Sequence, residues 1–119
     1  MNVTQNVALQ PYNSFGIVAK AYALVRIRSV EEAVAVQQDL KNHPEGHCVL
    51  GGGSNIVLTG DVKPLVLKME IMGKRLVGET EKAWIVEAGA GENWHELVTW
   101  TLEQGWPGLE NMALIPGSV

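Results

Sequence analysis

A single cysteine in 119 residues excludes any internal disulfide framework. Cys48 sits in the apolar run Cys48-Val49-Leu50, where a buried, inert thiol is the favoured reading. No run of about eighteen uncharged apolar residues occurs, so nothing reads as a membrane span. Met1 to Gln10 lacks a basic opening followed by an apolar run, and so does not read as a signal peptide. Basic residues are few, 9 against 13 acidic, and a net charge of −4 leaves no basic stripe to release counterions from a nucleic acid. Charged residues make up 18% and hydrophobic ones 46%, the balance of a globular chain long enough for one small core. These exclusions place the chain in a reducing cytoplasm, with neither nucleic acid nor membrane as a partner.

No repeat, low-complexity tract or linker interrupts the sequence. Residues 22–28 alternate partly and are rich in strand formers. Ser29 then reads as a helix N-cap, with Glu32 completing a capping box. Val30, Ala33, Val34 and Leu40 give that helix an apolar face, while Glu31, Gln38, Asp39 and Lys41 give it a wet one. Pro44 and Gly46 stop it, and His47 to Leu50 reads as a short buried strand. Strand, helix, strand is a βαβ unit with parallel strands. Leu65 to Lys68 reads as a third strand.

The second half changes character. Lys74 to Gly78 and Trp84 to Ala88 read as an antiparallel hairpin around the polar turn 79–82. A second capping box pairs Asn93 with Glu96, and Trp94, Leu97, Val98 and Leu102 share a face of the helix it opens, with Gly105 as its stop. The fold class is therefore α+β. Residues 1–70 form a first subdomain, and residues 71–119 begin a second, incomplete one. An apolar, turn-rich end at Ile115-Pro116-Gly117-Ser118-Val119 makes the sequence read as truncated.

Gly51-Gly52-Gly53-Ser54-Asn55 carries the most chemistry. Glycines directly after a buried strand permit positive φ and leave no Cβ between an amide and a ligand. Successive N–H groups can converge on an anion there, with Ser54 and Asn55 adding side-chain donors. Phosphate binding and a flexible turn between strands both fit. No Lys-Ser/Thr pair follows, so this is not a Walker A loop, and Ile56 in place of a third glycine excludes a Rossmann fingerprint.

Gly89-Ala90-Gly91-Glu92-Asn93-Trp94 imitates that fingerprint. Trp94 replaces the close-packing glycine, and Glu92 puts negative charge where a pyrophosphate would sit. A tight turn and helix start is the better reading. Catalytic and metal constellations are missing: His43, His47 and His95 have no metal-ligand spacing and read as surface or hydrogen-bonding residues. Trp94 and Trp100 read as packing. Ser118 cannot be assigned as a nucleophile.

The order of these motifs resembles the UDP-N-acetylenolpyruvoylglucosamine reductases of peptidoglycan synthesis. The matching stretches are Asn13-Ser14-Phe15-Gly16-Ile17, Gly51 to Leu58, Gly89 to His95 and, most specific, Pro107 to Val119. The resemblance implies an FAD-binding domain of the vanillyl-alcohol-oxidase/PCMH type, whose two α+β subdomains clasp the cofactor. It implies that Gly51, Gly52, Gly53, Ser54 and Asn55 hold the FAD pyrophosphate, and that Ile115, Pro116, Gly117, Ser118 and Val119 lie along the cofactor. It also implies an oxidoreductase in which NADPH reduces the flavin and the flavin reduces the enolpyruvyl group of a UDP-sugar. The family's catalytic serine, arginine and glutamate match no position here, so no catalytic residue is assigned and the fragment alone is expected to be inactive. Two alternatives remain: a non-catalytic truncated domain without flavin, or an FAD-dependent oxidase of the same superfamily.

Overall fold

The computed structural model describes residues 2–119. A four-stranded sheet is built from β1 (Val3–Ala8), β2 (Lys20–Ile27), β3 (His47–Leu50) and β4 (Leu65–Met69), in the order β1-β2-β4-β3. β1 runs antiparallel to β2, while β4 lies parallel to both β2 and β3. The strands flanking the first helix are thus parallel, as their sequence suggests, but β4 stands between them. As the central strand β4 is covered on both faces, so Leu65, Val66 and Leu67 are all buried and read as an unbroken apolar run.

One face packs Leu9, Ala21, Leu24, Leu50 and Val66 under the loop residues Ile56, Leu58 and Val62. On the other face α1 (Val30–Asp39) presses Val36 onto Val25, Ile27, Leu65 and Leu67. Each such side chain taken fully out of water stabilises the fold by about 1.5–3 kcal/mol. The apolar face expected of α1 is partly corrected. Ala33, Val36 and Leu40 face the sheet, whereas Val30 and Val34 are 64% and 48% exposed. The expected cap is present: the Ser29 hydroxyl accepts from Glu32 N–H, and the Glu32 carboxylate accepts from Arg28 N–H. The helix tightens into a 3-10 turn at Leu40–Asn42 before Gly46, at φ +79°, turns the chain into β3.

β5 (Lys74–Glu79) and β6 (Trp84–Ala88) form the expected hairpin, with a bulge between Leu76 and Gly78. α2 (Trp94–Glu103) follows, its Asn93 side chain accepting from Glu96 N–H. Leu97, Val98 and Thr101 are its buried residues. Leu102, expected to be inward, is 45% exposed. Trp100 packs edge-on against Trp106 at 5.3 Å between ring centres. No helix among the described residues is long and apolar enough to cross a membrane.

Candidate functional site

β2, β4 and β3 all end at one edge of the sheet, and Gly51 to Asn55 leaves from the end of β3. The segment Asn13 to Ile17 braces this loop. Asn13 is buried, its side chain donating to Leu9 and Ile17 carbonyls and accepting from Ile17 N–H, and Ser14 N–H donates to the Gly53 carbonyl. Gly53 is locked in place. Its φ is +72°, and a Cβ there would lie 1.9 Å from the Tyr12 carbonyl oxygen.

The second expected segment comes back to meet the first. Trp94 N–H donates to the Gly117 carbonyl and Val119 N–H to the Glu92 carbonyl, which bridges Ser118 to Asn93 at the start of α2. Gly117 and Ser118 then lie against the glycine loop. A Cβ on Gly51 would stand 2.6 Å from Ser118 Oγ, and one on Gly117 would stand 3.0 Å from Ser54 Oγ. Open clefts of about 370 and 320 Å³ border the two segments, both lined by Gly51, Gly52, Ser54, Pro116, Gly117 and Ser118. Gly53 and Asn55 line the larger one, while Ile115 and Val119 flank the clefts without lining either.

Among the described residues, no backbone N–H from Gly51 to Asn55, nor that of Gly117 or Ser118, donates to another part of the chain. A row of unused amide donors beside a cleft can receive an anion. Gly52 is exposed, has no positive φ, and a Cβ there would meet nothing nearer than 3.7 Å. Folding alone therefore gives no reason for glycine at position 52. Ser54 and Asn55 add side-chain donors at the loop's end.

Lys68, absent from the sequence reading, also belongs to this edge: its ammonium donates to the Gly51 carbonyl at 2.6 Å. The signal was only a lysine at the end of an apolar strand. Its lateral neighbour Arg26 binds Glu70 and the Tyr12 hydroxyl and lies over the Tyr12 ring. Burial would lower the Arg26 pKa, but Tyr12 and Glu70 outweigh it and raise the value.

Glu92 does not enter the clefts as a repelling charge. It is buried, accepting from Gly73 N–H at 2.7 Å with the Lys74 ammonium 3.8 Å away. Gly89 and Gly91 pass so close to Ile71 and Glu70 that a Cβ at either would clash, which makes this segment a tight turn and helix start. His95 Nδ1 accepts from Leu114 N–H, the hydrogen-bonding role expected of it. Trp94 Nε1 donates to the Met112 carbonyl, tying down the stretch before Pro116. Cys48 is half-buried rather than buried, and desolvation raises its thiol pKa. No group of three or more His, Cys, Asp or Glu able to hold a metal occurs among the described residues.

A family model described as FAD binding domain matches residues 21–119. The UDP-N-acetylenolpyruvoylglucosamine reductase of Azoarcus sp. (strain BH72) is 54% identical over 98% of this chain and 35% of its own length. That of Dechloromonas aromatica (strain RCB) is 50% identical over 100% of this chain and 34% of its own length. The crystal structure of UDP-N-acetylenolpyruvylglucosamine reductase from Thermus caldophilus superposes with a TM-score of 0.69 at 28% identity, covering 100% of this chain and 40% of that one. The chain spans about a third of the length of the curated relatives it matches.

Proposed function

From the premise that this chain belongs to the FAD binding domain family, with FAD as its cofactor, we propose that it is the cofactor-holding part of a UDP-N-acetylenolpyruvoylglucosamine reductase. The observation that carries this reading is Gly52. It is a glycine that folding does not require, set in a row of unused amides and lining the clefts close beside Gly117. Backbone that must come within hydrogen-bond reach of a diphosphate cannot carry a Cβ on that side. Gly51, Gly52, Gly53, Ser54 and Asn55 hold the diphosphate in this reading, and Ile115 to Val119 run along the cofactor. The first subdomain is residues 1–70, and the second begins at residue 71.

Bound FAD supplies hydride transfer, here between NADPH and the enolpyruvyl group of a UDP-sugar, giving UDP-N-acetylmuramate for the cell wall. This chain's residues bind and orient the cofactor. No residue among the 119 is assigned as proton donor, so the chain by itself is expected to show no NADPH-dependent turnover of the UDP-enolpyruvyl sugar. The setting is cytoplasmic.

The test is equilibrium titration of the chain with FAD, beside Gly52→Val. A hydrogen bond to an ionised oxygen is worth about 1.5–3 kcal/mol, so displacing one or two from the diphosphate weakens FAD at least tenfold. The variant should keep its melting temperature within a few degrees while FAD affinity collapses. Equal affinity in both proteins, or no binding to the parent chain, would overturn the proposal.

A further inference from the structure

The smaller cleft has polar and apolar walls and a single charged side chain among its lining residues, Lys68. Lys68 stands on the central strand, level with Arg26 on one side and Leu50 on the other. Several other cations already face acids. Arg26 and Arg28 share Glu70, and Lys74 faces Glu92. Lys68 has no carboxylate within 4 Å among the described residues and is half-buried, with one of its N–H donors on the Gly51 carbonyl. An ammonium has three donors, so two remain. A half-buried cation without an acid, beside unused amides at the carboxyl edge of parallel strands, marks the place of an anionic group.

We propose that Lys68 is the cationic anchor of the FAD diphosphate, held at the floor of the cleft by the Gly51 carbonyl and reaching the phosphate oxygens with its remaining donors. The assignment rests on the FAD reading above and adds to it a charge that the glycine loop lacks. It has a consequence for the unaltered chain. The protein carries a net charge of −4 and the diphosphate is itself negative, so without a local cation added salt would screen repulsion and leave FAD binding unchanged or tighter. With Lys68 in contact, salt weakens it.

The experiment compares FAD, ADP and riboflavin, the last lacking the diphosphate, by fluorescence and calorimetric titration at low and moderate salt. Lys68→Gln keeps a side-chain donor for the Gly51 carbonyl and removes the charge. It should weaken FAD and ADP about tenfold, leave riboflavin unchanged and abolish the loss of affinity with salt. Lys68→Arg should restore most of the affinity. FAD and ADP bound equally well by the parent chain and Lys68→Gln would overturn the anchor while leaving the FAD reading intact. Failure of the parent chain to bind any of the three would overturn the FAD reading and the anchor with it. Should Lys68→Gln not fold, the salt response of the parent chain decides alone: FAD binding that does not weaken with salt rules the anchor out.

Discussion

Gly52 and Gly53 are neighbours with opposite reasons to be glycine. Gly53 is demanded by the fold, through positive φ and contact with the Tyr12 carbonyl, whereas a Cβ on Gly52 would meet nothing nearer than 3.7 Å. Gly53→Ala should therefore destabilise the chain by more than about 2 kcal/mol, read as a lowered thermal midpoint, while Gly52→Ala should leave the midpoint nearly unmoved. Cys48 gives a second prediction. Desolvation raises its pKa above the ordinary 9.0, so the neutral thiol is the form the fold favours. The stability this contributes is fully present below that ordinary value and is lost as pH rises through the higher folded value. Labelling at mildly alkaline pH should be slower in the native chain than in urea, and equal rates would contradict the shift. The glycine run stood out in the sequence as a candidate anion loop, but its members looked interchangeable, because the approach of Tyr12 that separates them is not a local signal. Lys68 was not legible at all, since a lysine ending a strand resembles any solvated terminus.

β4 was legible from its unbroken apolar run and the hairpin from the polar turn between its strands. Ser29 and Asn93 marked both helix starts because capping is a local interaction between residues three apart. Ser29→Ala should cost about 1 kcal/mol by denaturant unfolding. Inward faces were read less well. Val30 and Val34 satisfy a helical period, yet α1 meets the sheet only along Ala33, Val36 and Leu40. β1 escaped notice because only Val7 of this edge strand packs on the core, the rest being exposed, and Asn6 breaks any alternation with φ +54°. The turn before α2 depends on a buried acid. Glu92→Ala would leave the Gly73 N–H without its acceptor and should cost about 1–3 kcal/mol by the same measurement, with Glu92→Gln losing less.

At the scale of the whole chain the molecule is long and thin, 48 × 31 × 17 Å with a radius of gyration of 16.6 Å, where a compact chain of this size gives roughly 13–14 Å. Both hydrophobic clusters lie on the first sheet. The hairpin keeps Val77, Trp84 and Ile85 partly in water, so the second half has the thinner core. Sequence pattern conveyed the α+β class but not the sheet order, because no local signal says that a strand will slip between two earlier ones. That order governs how the chain acquires its structure in time. β3 has no strand neighbour until β4 is made, and β2 has only β1, so synthesis up to Pro64 allows no strand pairing beyond the β1–β2 hairpin. The parallel sheet must then close in one late, cooperative event spanning residues 20–69. In pulsed hydrogen exchange during refolding, amides of β2, β3 and β4 should gain protection with a single time constant, and protection of β3 ahead of β4 would refute that sequence of events.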